Sequence, residues 1–231
     1  MTRNSFLCGA VALSVLTGLV LYGAAKESGT EARLKALETK VQRLDDIHEI
    51  ERLQRVYGYY LDKRLWDEVI PLFTDDCSIE LAGRGVYIGR KSAETLFRNI
   101  QGAGKQGPEY GRLYNHMQLQ GVVDVDPGGQ TAKGRWRAFM QIAQLNQSAI
   151  WGEGPYEVDY VKVNGKWMFK KMHWYTTYLT PYDQGWAKVQ PTPFNSVSKE
   201  YPPDQPPSEN YQPFPSVYIP PFHYKNPITG K

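Results

Sequence analysis

An amphipathic stretch near the start of the chain, residues 47–76, constrains the fold more than any other segment. Its apolar side chains recur every three or four residues, the spacing of one helix face; they are Ile47, Ile50, Leu53, Val56, Tyr57, Tyr60 and Leu61. A second short helix is predicted next, with Trp66, Val69, Ile70 and Phe73 on its buried side. Tyr57 and Asp62 lie at or beside the apolar stripe. Because a buried carboxylate is costly unless it is partnered or used, this segment predicts the floor of a small-molecule cavity.

Length and charge exclude several classes of protein. The 231 residues suffice for one domain with a real core plus extensions. The net charge of +3 is spread along the chain, which gives no electrostatic footprint for nucleic acid. The two cysteines, Cys8 and Cys77, do not cluster with histidines at a metal-binding spacing. We therefore expect neither a metal nor a cofactor.

The N terminus predicts export. Residues 6–25 form an apolar run after a single Arg, and the small residues Gly23 and Ala25 end it as in a cleavable signal peptide. The run is also long enough for an uncleaved membrane anchor, the one case in which we expect contact with a membrane. Either way, the folded part is expected in the periplasm or outside the cell.

Residues 26–45 predict a charged helical extension. Apolar residues alternate at spacings of three and four, as in a short coiled-coil seam; they are Leu34, Leu37, Val41 and Leu44. We interpret the segment as a stalk that extends the first domain helix rather than as an independent oligomerisation zipper.

The middle of the chain predicts an α+β domain with helices on one face of a curved sheet. Short strands at residues 78–82 and 86–88 precede a helix capped by Ser92. The Gly-rich residues 101–111 lack a phosphate-loop motif and are interpreted as a lid or pocket rim. Long strands follow at residues 113–126, 131–145, 156–163 and 167–177, the last two joined as a hairpin through Asn164-Gly165.

Residues 179–231 are rich in proline, which prevents regular helix and central strand. They are also rich in aromatic residues, which disordered linkers lack. We expect an extended arm that lies across the domain surface or on a neighbouring subunit of a homo-oligomer, a dimer or trimer, rather than a second domain.

Four segments carry a family resemblance. They are IERLQRVYGYYLDKRLWDEVIPLFTDDCSIEL, NHMQLQGVVDVD, TAKGRW and YVKVNGKWMF. Together they make residues 46–178 resemble a SnoaL-like domain of the nuclear transport factor 2-like superfamily. The resemblance implies a cone, in which a curved antiparallel sheet wraps around helices and encloses an apolar pocket. That superfamily includes ketosteroid isomerase, scytalone and bile-acid dehydratases, polyketide cyclases and proteins without catalysis.

The resemblance also implies site residues. Asp62 matches the helix-borne carboxylate of the scytalone-dehydratase pattern, Tyr57 the tyrosine of the bile-acid-dehydratase pattern, and His116 the histidine on the first long strand. Leu61 stands where the scytalone-type pattern has a tyrosine, which argues against scytalone as substrate. The export signal and the aromatic, Pro-rich tail also resemble lyases that release formaldehyde from lignin-derived aryl propanediols.

The sequence therefore predicts a cofactor-free lyase that removes water or formaldehyde from a hydroxylated, hydrophobic, aromatic molecule. Asp62 and His116 would move a proton, and Tyr57 would stabilise an oxyanion. Predicted substrate-binding residues are Tyr60, Trp66, Tyr114, Trp136, Tyr156 and His173.

Each assignment has an alternative. Asp62 could pair with Lys63 or Arg64, His116 could be a satisfied core histidine, and Tyr57 could serve packing. At the level of function, the alternatives are a non-catalytic exported binding or assembly protein and a ketosteroid-isomerase-like isomerase. His173 is expected at the pocket mouth because strand alternation places it on the same face as Trp167 and Phe169.

Overall fold

The computed structural model describes residues 5–188 and 197–231, with side chains from residue 29 onward. The chain divides into two compact units, Met1–Asp45 and Asp46–Lys231. Within the described residues, no helix is long and apolar enough to cross a membrane. The predicted leader, residues 1–25, lies outside the residues whose side chains are described.

The described residues form four α-helices and seven strands. Helix α1 spans Ser5–Asp62, α2 Trp66–Val69, α3 Gly89–Glu94 and α4 Gly185–Lys188; a 3₁₀ turn at Ile70–Leu72 follows α2, and a π-helix at Thr95–Gln101 continues α3. The strands are β1 Phe73–Leu81, β2 Val86–Ile88, β3 Arg112–Val125, β4 Thr131–Gln144, β5 Ser148–Val163, β6 Lys166–Trp174 and β7 Tyr178–Pro181.

The strands form one mixed sheet in the order β2-β1-β6-β5-β4-β3, and β7 pairs with β5. The expected α+β class is confirmed, but the sheet is not wholly antiparallel, because β1 and β6 pair in parallel. Sequence alternation within each strand cannot show this, since it does not reveal which distant strands become neighbours. Strand β5 also begins at Ser148, earlier than predicted, and pairs with β4 along its length.

The core lies between residues 46–62 of α1 and the inner face of the sheet. Alternation on β4 is confirmed, with Ala132, Trp136, Ala138 and Met140 buried. Their burial against the helix removes apolar surface from water, which is the main favourable term in folding.

A buried polar chain links helix and sheet. The Trp136 Nε1 donates to the Tyr160 hydroxyl over 2.9 Å, and this hydroxyl donates to the Gln54 Oε1 over 2.8 Å. The Gln54 Nε2 donates to Gln118 on β3 over 2.8 Å. These bonds satisfy buried polar groups that would otherwise destabilise the core.

The described C-terminal residues, 197–231, run along the domain without forming helix or a named strand. The Val86 main-chain N–H donates to the Gln205 carbonyl over 2.9 Å. Glu80 of β1 accepts the Ser208 main-chain N–H over 2.9 Å. Further along, the Phe222 ring lies 4.3 Å from the Arg135 guanidinium. These contacts fix the arm against β1, β2 and the outer face of β4.

Candidate active site

A small internal cavity of about 50 Å³ lies between α1 and the inner face of the sheet. Apolar and aromatic side chains dominate its lining, which consists of Tyr57, Leu61, Leu81, Phe97, Gln101, Tyr114, His116, Met140, Ile142, Ile150, Tyr156, Trp174 and Leu179. A space of this size accommodates roughly one or two water molecules. Four of the predicted site residues are thus brought together: Tyr57, Tyr114, His116 and Tyr156.

His116 is the one ionisable base in this lining. Its side chain on β3 is buried, and its ring packs on Tyr114 at 4.6 Å between centroids. The ring atom Nδ1 is buried without a hydrogen-bond partner. Burial lowers the pKa of His116 from 6.5 to about 3, because an imidazolium would lose its hydration there. The imidazole is therefore neutral near pH 7, and it can accept a proton only where a developing negative charge on a bound substrate offsets the cost of burying the imidazolium.

Tyr57 and Tyr156 form a buried hydroxyl pair across the cavity. The two hydroxyls are hydrogen-bonded to each other, and burial, to which Tyr156 adds, raises the pKa of Tyr57 well above its usual value. The ring of Tyr57 also contacts Phe169 edge-on at 5.5 Å. Both hydroxyls stay protonated near neutral pH, so the pair can donate hydrogen bonds to a developing negative charge on a substrate oxygen.

Asp62 reaches His116 through the main chain. At the last turn of α1, its Oδ1 accepts the His116 backbone N–H over 2.6 Å. Burial raises the pKa of this carboxyl, while the bond from His116 and the charge of Lys63 oppose the rise. Asp62 and His116 together line a groove of about 290 Å³ beside the cavity. The structure therefore brings Asp62 and His116 together as predicted. The carboxylate, however, accepts a hydrogen bond from the His116 main chain and not from its imidazole.

Gly58 explains how the helix comes so near to β3. A methyl group on Gly58 would lie 2.9 Å from the His116 carbonyl oxygen and 3.0 Å from Gln118 Cγ. Both distances are shorter than normal van der Waals contact, so a larger residue would push α1 away from the strand. The glycine thus permits the short bond between Asp62 and the main chain of β3.

The π-helix closes the cavity on another side. Its last residue, Gln101, accepts a hydrogen bond from the Tyr114 hydroxyl over 3.2 Å. Gly102 follows, where a methyl group would lie 2.7 Å from Trp66 Nε1. The Trp66 Nε1 in turn donates to the Lys105 carbonyl over 2.9 Å. The Gly-rich loop predicted as a lid or rim is therefore bonded to α2, and its contribution to the cavity is the side chain of Gln101.

Three predicted substrate-binding residues lie in the core rather than at the cavity. Trp66 is buried and stacks on Phe97 at 5.9 Å. Trp136 is buried and bonded to Tyr160. Tyr60 is partly buried and packs against the core cluster. Aromatic spacing in the sequence predicted their burial but could not distinguish a core position from a ligand contact.

His173 faces away from the cavity, contrary to the prediction. The pairing of β5 with β6 shifts by one residue, because Tyr160 pairs with Phe169 while Asp159 pairs with Lys171. The extra residue, Lys170, forms a β-bulge that reverses the alternation after it. Trp174 therefore takes the inward position that simple alternation assigns to His173.

On the outer face, His173 belongs to a buried cluster beneath the arm. Its Nδ1 lies 3.6 Å from Glu80 Oε2, and its ring stacks on Tyr175 at 3.8 Å. Burial lowers the pKa of His173 to about 3, and Lys171 adds to this effect. The Tyr175 hydroxyl donates to Glu209 of the arm over 3.0 Å.

Sequence reasoning missed several cavity residues. The sequence pattern places Gln101 in a loop and Leu179 in the C-terminal arm. Trp174 was missed because of the bulge. Met140 and Ile142 carried a usable signal, since β4 alternation already placed both on the buried face. In the described part of the chain, no group of three or more His, Cys, Asp or Glu side chains could hold a metal ion.

The fold defines a class: a curved mixed sheet packed over a long helix, with a cavity between them, is the nuclear transport factor 2-like architecture. The family model of the SnoaL-like domain matches residues 42–173. The chain therefore belongs to the SnoaL-like domain family. No curated protein matches it.

Solved structures support the fold. A candidate scytalone dehydratase from Novosphingobium aromaticivorans DSM 12444 is 23% identical, with a TM-score of 0.54 over 69% of this chain and 99% of that one. A hexachlorocyclohexane dehydrochlorinase, LinA type 2, is 20% identical, with a TM-score of 0.53 over 62% and 92%. LinA-type3 from Novosphingobium barchaimii LL02 is 20% identical, with a TM-score of 0.53 over 67% and 99%.

Proposed function

We propose that this protein is a cofactor-free lyase that eliminates water, or alternatively formaldehyde, from a hydroxylated, hydrophobic aromatic molecule. The observation that carries the proposal is His116, a neutral and buried imidazole whose Nδ1 has no hydrogen-bond partner. It lines the same cavity as the hydroxyl pair of Tyr57 and Tyr156. A base and hydrogen-bond donors around one apolar space are the parts that proton-transfer elimination requires.

For dehydration, His116 removes a proton from the carbon next to the hydroxyl-bearing carbon. The electron pair of the broken C–H bond forms the new double bond, and the C–O bond breaks. The leaving hydroxyl then takes the proton from His116, so that water departs and the imidazole is neutral again. The Tyr57–Tyr156 pair keeps one hydroxyl proton that is not used within the pair, and its hydrogen bond to the departing oxygen stabilises negative charge during the step.

For the formaldehyde alternative, His116 removes the proton of a terminal hydroxyl. The neighbouring C–C bond then breaks, formaldehyde leaves, and the remaining carbon takes the proton back from His116. Asp62 is a positioning residue in both cases, because it holds the His116 main chain and does not contact the imidazole through a hydrogen bond in this structure.

The cavity must enlarge to admit such a substrate. Its volume of about 50 Å³ is far below the roughly 300–1,000 Å³ of typical ligand sites. The bond between Tyr114 and Gln101 closes one side and joins β3 to the end of the π-helix. Opening of this contact is the proposed route of entry, and π-helical segments occur frequently at functional sites.

The structural neighbours support this class of reaction. Dehydratases and dehydrochlorinases both form a double bond by removing a proton and a leaving group from adjacent carbons. At 20–23% identity these neighbours share the fold with this chain, and the reaction enters here as part of the proposal. We also propose a location in the periplasm or outside the cell, as the N-terminal sequence predicts.

The test is turnover of a panel of aryl propanediols and hydroxysteroids, with formaldehyde and dehydrated products measured by mass spectrometry. His116→Ala should lower turnover by roughly 10²–10⁴-fold, the usual contribution of a general base. Asp62→Ala, which removes the acceptor of the His116 main-chain N–H, and Tyr57→Phe should also lower it. His48→Ala is the matched control, since His48 is exposed on α1. Unchanged turnover in His116→Ala would eliminate the proposal.

A second candidate is a non-catalytic ligand-binding protein, favoured by the bond of Asp62 to the main chain rather than to the imidazole. In that case, panel compounds would bind in calorimetry without forming any product. His116→Ala would then alter affinity alone. A product with the substrate's mass and a shifted double bond would instead indicate an isomerase.

A further inference from the structure

An exposed apolar seam runs along α1 in the first unit. Its side chains are 55–58% exposed although all are large and apolar; they are Leu34, Leu37, Val41 and Leu44. Single exposed apolar residues are common on protein surfaces, but four at alternating spacings of three and four form a continuous stripe. The seam lies within a helix that the structure already shows as continuous over Ser5–Asp62.

The seam fits a heptad repeat. With Leu34 and Val41 at a positions, Leu37 and Leu44 fall at d. The next a and d positions are His48 and Glu51, so the apolar seam ends at Leu44. In the second heptad, β-branched Val41 at a with Leu44 at d is the combination that favours two strands, whereas the first heptad has Leu34 at a.

The charged residues beside the seam are basic at g positions and acidic at e positions. The g positions carry Arg33 and Lys40, and the e positions carry Glu38 and Asp45. In a parallel pair of identical helices, each g residue faces the following e residue of the partner. Arg33 would then face Glu38, and Lys40 would face Asp45, so both contacts on each side are attractive.

An antiparallel pair reverses this result. It places g positions opposite g positions and e opposite e, so Arg33 and Lys40 would meet basic side chains. Glu38 and Asp45 would likewise meet acidic side chains. Like charges at this separation repel, whereas opposite charges across the seam select partner and direction.

We propose that residues 33–45 bind the same segment of a second copy of this chain as a parallel two-stranded coiled coil. The inference is independent of the proposed chemistry, and it replaces the interpretation of this segment as a stalk alone. Two heptads are too few for a stable isolated helix. Here α1 supplies a preformed helix, so the free energy of association does not include the cost of helix nucleation.

Disulfide cross-linking of the full chain tests both the contact and its direction. Cys8 is replaced by Ser, and buried Cys77 is retained. In a parallel, in-register pair, d positions face each other, so Leu37→Cys should form a disulfide-linked dimer on mild oxidation. Thr39→Cys, at the f position on the opposite side of the helix, is the matched control and should stay monomeric on a non-reducing gel.

Two results would overturn the proposal. One is cross-linking of Leu37→Cys no greater than that of Thr39→Cys. The other is a stronger cross-link in a mixture of Leu37→Cys and Val41→Cys chains than in Leu37→Cys alone, because only an antiparallel pair brings those two positions together.

Charge reversal provides an independent check in the Leu37→Cys chain. Arg33→Glu with Lys40→Glu makes every e and g contact acidic and should abolish the cross-link. Adding Glu38→Lys and Asp45→Lys restores opposite charges and should restore it. Cross-linking that is indifferent to the first pair of changes would also refute the proposal.

Discussion

Acidification should destabilise this protein through His116 in particular, because its imidazole is buried and the nearby Asp62 carboxyl bonds to its main chain rather than to its ring. Burial depresses the pKa of His116 from 6.5 to about 3. The folded state therefore binds this proton only at strongly acidic pH, whereas the unfolded chain binds it near pH 6.5. The stability that the neutral imidazole maintains is present above pH 6.5 and is lost as the pH falls towards 3.

The size of the effect follows from linkage. Between those two pKa values, each pH unit costs about 1.36 kcal/mol per such histidine. Lowering the pH from about 6.5 to about 4.5 should thus cost roughly 2.7 kcal/mol through His116, an order-of-magnitude figure. Other groups titrate in the same range, so the informative quantity is the difference between wild type and His116→Gln.

The assay is urea unfolding of wild type, His116→Gln and the exposed control His48→Gln at neutral pH and at about pH 4.5. The free energy of unfolding of His116→Gln should fall less on acidification than that of wild type, by roughly 2–3 kcal/mol. His48→Gln should follow wild type. Equal pH dependence in wild type and His116→Gln would refute the argument that His116 is buried and neutral.

Two further predictions concern packing. Gly102→Ala should lower the free energy of unfolding, measured with urea, by roughly 1–3 kcal/mol. The new methyl group would lie 2.7 Å from Trp66 Nε1. Unchanged stability would show that Trp66 can move. Glu80→Gln should speed removal of the arm in limited proteolysis, because it weakens the hydrogen bonds from Ser208 to a buried carboxylate. An unchanged cleavage rate would show that other contacts hold the arm.

Much of the fold could be predicted because it depends on local patterns. The Asn164-Gly165 turn predicted the β5–β6 hairpin, and alternation on β4 predicted which side chains are buried. Tyr57 and His116 could be placed near one another because helix periodicity and strand alternation each orient them inward. Both patterns repeat within a few residues, so they can be recognised in the sequence without knowledge of distant contacts.

The sequence by itself determined the amphipathic helix, the alternating strands, the apolar seam with its sorted charges and the membership in a family. Only the tertiary structure decided that Asp62 bonds to the main chain of His116, that β1 and β6 run parallel, and that His173 faces the arm. The physical reason is that these features arise between segments far apart in the chain. A single bulge at Lys170 reverses every later side chain on β6, and a close approach at Gly58 decides which atom a carboxylate can reach.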